Sequence, residues 1–201
     1  MKRNNVIEKK LPKVEMLELN EAYQSMLYWF FSFPNRQIGL NELSSALKIS
    51  KVTAKRIVRL LEQTGFLSKK IYGKAWIISC NLEHEYNYTK KVAFNLAMIF
   101  ETYQRGLKEN IFRIIGNAKA VILFGSYRKG DDNEKSDIDL AVEVSDNREL
   151  RIVNLGIINE FGFRENVPVN LHIFSRNKID INLFSNVANG IVLEGFLEVM
   201  P

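Results

Sequence analysis

The stretch 121-VILFGSYRKGDDNEKSDIDLAVEV-144 decides how the second half of this chain folds. With Ala120 in front, AVILF is a short continuous apolar run, fit for a strand inside a sheet. It stops at Gly125-Ser126. Glycine lets a phosphate approach the backbone closely, and a serine hydroxyl with neighbouring N–H groups can hold its oxygens. After a polar loop, 137-DIDLAVEV-144 alternates strictly: Asp137, Asp139, Ala141 and Glu143 point one way, and Ile138, Leu140, Val142 and Val144 the other. Aspartates at i and i+2 of a strand share a face with their side chains roughly 7 Å apart. Such a pair repels unless a cation lies between, and a hard divalent ion with oxygen ligands meets that need. Mg²⁺ (or Mn²⁺) in turn brings nucleotide phosphates. The acids read as a metal platform facing the Gly-Ser turn.

Gly-Ser, ten residues (127–136), then Asp-Ile-Asp resembles the nucleotidyltransferase superfamily that includes DNA polymerase beta. FGSYRKG…SDIDLAVEV looks most like its minimal, prokaryotic branch. The resemblance covers about 107–197: a helix, strand VILF, the Gly-Ser turn, strand DIDLAVEV, a helix, strand VPVNLHIF and the closing NGIVLEG. It implies a mixed β-sheet flanked by helices, in which Gly125 and Ser126 hold the β- and γ-phosphates of a nucleoside triphosphate. Asp137 and Asp139 would bind one or two Mg²⁺, and an acceptor hydroxyl would attack the α-phosphate in line. Arg128 and Lys129 follow the turn and have two readings, phosphate contact or solvated loop charge. The family's third carboxylate lies within apolar-Asp-apolar on a later strand, and the matching position in 167-VPVNLHIF-174 is Asn170. An amide oxygen can ligate a metal but carries no charge and is no base. His172 shares the face of Asn170, as a substitute base or as a structural histidine. Glu165 is the substitute only if the alignment is offset.

Charge divides the chain. Residues 1–115 hold 19 Lys+Arg against 10 Asp+Glu, a net of +9, whereas residues 116–201 hold 9 against 13, a net of −4. Two domains with different partners follow, the basic one suited to nucleic acid. Its run AYQSMLYWFFSF reads as a buried helix ended by Pro34. In 40-LNELSSALKISKVTAKRIVRLLEQTGFLSKK-70, Asn41 is a candidate N-cap for a short helix with Leu43, Ala46 and Leu47 inward. Ser50 is the candidate cap of a second helix over about 51–63, with Val52, Ile57, Leu60 and Leu61 expected on its core face. Gly65 closes it, and LSKKI and AWIIS read as strands joined through Tyr72-Gly73-Lys74.

That order resembles the winged helix-turn-helix family over about 21–80. The resemblance implies that Lys51, Thr53, Lys55, Arg56 and Arg59 face DNA, with Lys69, Lys70 and Lys74 on the wing. The same fold also serves as a protein-docking module.

The expected organisation is a two-domain α/β (α+β) chain: 1–82 winged helix-turn-helix with an N-terminal tail or short packing segment over 1–20, 83–106 connecting helix, 107–201 nucleotidyltransferase domain. In the connection Val92, Leu96, Ile99, Phe100 and Tyr103 recur at helical spacing over about 89–105, with Gly106 a point of interruption. This stripe packs within the chain or against a second copy in a homodimer. No apolar run approaches the ~20 residues of a membrane span, and MKRNNVIEKKLPKVE lacks the apolar segment of a secretory signal. The lone Cys80 excludes an internal disulfide, and His84 and His172 make no zinc cluster. A cytoplasmic location is expected. Two functions stand side by side. One is a nucleotidyltransferase moving AMP or another nucleotide onto a hydroxyl of a protein or nucleic acid; minimal family members act on a helical HEPN-type toxin partner. The other is a DNA-binding regulator or antitoxin whose degenerate nucleotidyltransferase domain binds nucleotide or a protein.

Overall fold

The structure, a computed structural model, describes residues 21–199, so the expected tail over 1–20 lies outside the described residues. Helix α1 (Glu21–Ser32) buries Met26, Leu27, Trp29, Phe30 and Phe31 and ends just before Pro34. A short strand, β1 (Ile38–Gly39), leads into α2 (Leu40–Ala46). Gly39 is held extended by pairing with Ile77 and is itself the N-cap, so the helix starts two residues earlier than an Asn41 cap requires. Asn41 instead lies in the first turn, where its carbonyl accepts from the Ser44 and Ser45 hydroxyls at 2.9 and 3.0 Å. Leu43 and Leu47 are buried, whereas Ala46 is exposed.

Helix α3 (Lys51–Gln63) is capped by Ser50, whose Oγ accepts from the Thr53 N–H at 3.0 Å. Its buried stripe is Ala54, Ile57, Val58 and Leu61, an i, i+3, i+4, i+7 set. The expected inward face is therefore corrected in two members. At 100° per residue Val52 falls opposite Ala54 and is 80% exposed, and Leu60 is 47% exposed. A two-residue link, Gly73-Lys74, joins β2 (Leu67–Tyr72) to β3 (Ala75–Cys80). The sheet order is β1-β3-β2, all antiparallel.

Helix α4 (Lys90–Thr102) runs into a π-helical turn over Tyr103–Leu107, broken at Gly106 with φ +133°, and then into α5 (Lys108–Ile115). The buried residues of α4 are Lys91, Phe94, Asn95 and Ile99, so two polar side chains take places where Val92, Leu96 and Phe100 were expected. Phe94 packs within the chain: it stacks on Tyr28 at 4.4 Å and meets Phe31 and Phe161 at 6.1 Å. One apolar core runs from Met26 and Phe30 through Ile99 to Leu140 and Leu171.

The second sheet has the order β6-β7-β5-β4-β8. Its strands are β4 (Ala120–Phe124), β5 (Ile138–Glu143), β6 (Arg151–Phe161), β7 (Arg164–Phe174) and β8 (Ile191–Gly195). Only β5 and β7 pair in parallel. One face packs on α4 and α5; the other carries α7 (Ile181–Ala188) over Ala120, Ile122, Ala141 and Phe174. Two local expectations fail. The segment after Gly125 winds into a one-turn helix, α6 (Gly125–Lys129), rather than a loop. The helix expected between the Asp-bearing strand and VPVNLHIF is strand β6, hairpin partner of β7. RIVNLGIINEF is rich in β-branched residues, and Gly156, costly inside a helix, takes φ +103° at the bulge between Asn154 and Gly156.

The two faces of α3 make different stability predictions. Leu61→Ala should cost about 2–5 kcal/mol in urea unfolding, because a fully buried site is emptied. Val52→Ala should stay within about 0.5 kcal/mol. Equal losses would contradict the observed burial.

Candidate functional site

Three strands converge on Asp139. Phe124 of β4 is its antiparallel partner, which brings Gly125 alongside, and Asn170 of β7 is its parallel partner. Gly125 takes φ +73°, and a Cβ there would lie 2.8 Å from Asp139 Oδ2. Position and conformation both demand glycine. The Ser126 carbonyl accepts from Gly130 N–H at 2.7 Å, closing the turn, while its hydroxyl makes no hydrogen bond among the described residues. Arg128 is half-buried and Lys129 exposed.

The face is polar and its carboxylates are already contacted. Asn170 Nδ2 donates to Asp137 Oδ2 at 3.1 Å, and its Oδ1 accepts from Asn154 Nδ2 at 3.3 Å. His172 Nε2 lies 3.2 Å from Asp139 Oδ1, with its ring edge-on to Phe124 at 5.0 Å. The His172 Nδ1 is buried and makes no hydrogen bond among the described residues. Gly125, Ser126, Asp137, Asp139, Asn170 and His172 thus gather at one end of the sheet. Glu165 does not join them: it is exposed, opposite Glu160 near the hairpin tip, and five residues of strand, roughly 17 Å, separate it from Asn170. Further along the same face of β5, Glu143 is 1% exposed and bound by Arg176 through Nε and Nη2 at 3.0 and 2.9 Å.

The segment between α6 and β5 is held by polar groups that sequence reasoning missed. Lys91 and Asp132 are 1% and 3% exposed and pair at 3.3 Å. Burial pushes the Asp132 carboxyl up and the Lys91 ammonium down, and each partner pulls the other back toward its charged form. Asn95 Nδ2 donates to Asp132 Oδ1 at 2.8 Å and to the Tyr127 carbonyl at 3.1 Å. Asn35, just past α1, donates to Glu134 through its N–H at 3.3 Å and Nδ2 at 3.2 Å. A lysine on the apolar side of a helical pattern was the available signal.

The basic residues gather on a separate surface. Lys51, Lys55, Arg56 and Arg59 are exposed on α3, Lys70 and Lys74 on the hairpin, with Thr53 and Lys69 half-buried. Lys55, Arg59 and Lys69 surround the Trp76 ring at 5.1, 5.7 and 5.0 Å, and Lys69 also pairs with Glu62. Thr53 is spent on the helix start, its hydroxyl 2.9 Å from that of Ser50.

Residues 108–194, from α5 into β8, match the family model described as Polymerase beta, Nucleotidyltransferase. The match supports the nucleotidyltransferase superfamily for this segment. No curated protein matches the chain at a significant level. The matched nucleotidyltransferase segment contains every residue gathered around Asp139. Among the described residues no group of three or more His, Cys, Asp or Glu is arranged to hold a metal ion, and no helix is long and apolar enough to cross a membrane.

Gly125→Ala tests the geometry. The added methyl must displace Asp139 and adopt a left-handed backbone, so unfolding stability should fall by about 1–3 kcal/mol in urea titration. Wild-type stability in this variant would refute the close approach.

Proposed function

We propose that the chain is a Mg²⁺-dependent nucleotidyltransferase that moves a nucleotide, AMP in the simplest case, from a triphosphate to a hydroxyl of a protein or nucleic acid. One observation carries this reading: the Gly125 backbone is packed against Asp139 on the face that also holds Asp137 and Asn170. The donor chemistry there fits a hard divalent ion, since two carboxylates and an amide are oxygen donors of the kind Mg²⁺ and Mn²⁺ take. Asp137 and Asp139 are the residues that would hold it, and the bound ion would polarise phosphate oxygens and offset charge on departing pyrophosphate. The chain's own groups bind and orient. Backbone N–H groups and the Ser126 hydroxyl receive the terminal phosphates. With the triphosphate so held, the acceptor oxygen forms its bond to the α-phosphorus as the bond to pyrophosphate breaks, a reaction that depends mostly on alignment. His172, close to Asp139, is the side chain proposed to take the acceptor's proton.

The N-terminal region is read as a winged helix-turn-helix that binds duplex DNA. Support comes from the element order, the exposed cations of α3 and the hairpin, and the three cations ordered around Trp76. A second reading has its own observation. Asn170 and His172 each contact one of the two carboxylates, Asp137 and Asp139, as expected of a degenerate domain in a DNA-binding regulator or antitoxin that binds nucleotide or a protein.

Incubation with labelled ATP and Mg²⁺, alone and with candidate HEPN-type helical proteins or nucleic acids, separates the two. Transfer that disappears in Asp137→Ala/Asp139→Ala supports the enzyme, and Asn170→Asp should then raise the rate. Triphosphate binding without transfer to any acceptor supports the regulator instead.

For DNA, each phosphate neutralised adds roughly −0.9 to the slope of log K against log salt. Replacing Lys55 and Arg59 by alanine should weaken duplex binding and flatten that slope by about two such contacts, read by fluorescence anisotropy across salt concentrations. An unchanged slope would count against this surface.

A further inference from the structure

Arg164, the first residue of β7, is 7% exposed and makes no ion pair among the described residues. Its charge acts on the buried Asp132, with which it makes no direct ion pair, so the hydrogen bonds that replace water around it must be specific. All of them fall on the connection between Gly125-Ser126 and Asp137. Nη1 donates to the Tyr127 hydroxyl, and the guanidinium carbon lies 5.7 Å from the Tyr127 ring centroid. Nη2 donates to the Glu134 carbonyl at 3.1 Å and the Ser136 carbonyl at 2.9 Å. Tyr127 follows Ser126 on α6, and Ser136 immediately precedes Asp137. One planar fork therefore spans both ends of the ten-residue connection (127–136).

That connection has no apolar anchor besides Tyr127, which is 1% exposed. Lys91 and Asn95 grip it from α4 at Asp132 and at the Tyr127 carbonyl, and the pairing of Phe124 with Asp139 closes it at the sheet; Arg164 adds one side chain bonded to both Tyr127 and Ser136. Only arginine presents rigid donors in several directions from one plane; a lysine ammonium is a single point on a flexible stem.

We propose that Arg164 is a positioning residue for the nucleotide site, fixing the phosphate-holding turn at Gly125-Ser126 relative to the metal-holding carboxylate of Asp137. This rests on the nucleotide-binding reading given above. Arg164 touches neither nucleotide nor acceptor and acts through Tyr127, Glu134 and Ser136. It also gives the hairpin a purpose: the turn that begins β7 reaches back to organise the site that the middle of β7 completes with Asn170.

The test compares wild type, Arg164→Lys and Tyr127→Phe by calorimetric titration with Mg·ATP and by amide hydrogen exchange. Arg164→Lys keeps the charge and loses the fork. It should weaken Mg·ATP binding ~10- to 100-fold, the equivalent of one or two hydrogen bonds to a charged group, with faster exchange in residues 133–137 and unchanged exchange in α3. Tyr127→Phe should give a smaller loss in the same direction. Arg164→Ala should regain affinity when guanidinium is added at millimolar concentration, which a purely structural role would not produce. Unchanged Mg·ATP affinity in Arg164→Lys overturns the role, as does faster exchange spread through α3 and the whole sheet. Wild type that binds no Mg·ATP overturns the nucleotide site itself, an outcome separable from the first two.

Discussion

The parallel pairing of β5 with β7 is the constraint on which the rest of the molecule depends. β5 is the middle strand of the sheet, flanked on both edges, and Ile138, Leu140 and Val142 are each 0% exposed on the face that packs on α4 and α5. That burial leaves no freedom to slip. A shift of one residue in β7 would put Val169 or Leu171 opposite Asp139 and turn Asn170 and His172 into the core, exposing apolar side chains in exchange. The hydrophobic side of the sheet thus decides which polar groups meet on the other side. Asp139 within β5, and Asp137 immediately before it, are tolerated because that strand is secured by its opposite face.

A second layer of organisation is polar. α4 approaches the matched segment with Lys91 and Asn95 inward, and the loop answers with Asp132. Replacing a buried ion pair by apolar groups is often neutral or stabilising, so the pair is better understood as a choice of loop position than as a source of stability. Gly130 sharpens that choice: a Cβ there would lie 1.9 Å from the Asn87 carbonyl oxygen. The N-terminal region takes part as well. Ser32 Oγ accepts from Phe163 N–H at 3.2 Å at the hairpin tip, and Asn35 holds Glu134. The helix carrying the basic surface packs on α1, α1 packs on α4, and α4 grips the loop before Asp137. The chain is contiguous, which is a condition for coupling between the two regions and not a demonstration of it.

What the sequence disclosed follows from the range of each interaction. Alternation in DIDLAVEV and continuity in AVILF are local, and both strands, their faces and the Gly-Ser turn were legible. Ser50 as a cap and the extent of α3 were legible for the same reason. Val52 and Leu60 were misplaced because apolar type was counted without its helical phase; the stripe through Ala54 and Val58 has the better period. Strand β6 was missed because a family order was allowed to outweigh β-branched residues and a mid-segment glycine, and with it went Asn154, the partner of Asn170. Arg164 and Lys91 could not be found this way. Their partners lie 28–37 and 41 residues distant, and nothing local in a single sequence marks such pairs.

On the proposed alignment of Asn170 with the family's third carboxylate, the charge of the site changes as well as its base. With a third carboxylate the end of the face around Asp139 would hold three acids; with Asn170 it holds two, one of them 3.2 Å from a histidine ring. One divalent cation balances two carboxylates, whereas a second would have to be balanced by the triphosphate itself. In the proposed enzyme this arrangement would favour an ion that arrives with its nucleotide over one held permanently by protein. In its absence the Asn170 amide lends partial positive charge to Asp137, and Asn154 holds the amide oxygen turned away. Exchanging amide nitrogen for oxygen toward Asp137 is unfavourable while that carboxylate is bare and favourable once a cation lies beside it. The same Asn154–Asn170–Asp137 chain that makes the site look degenerate is thus one that a bound cation would invert.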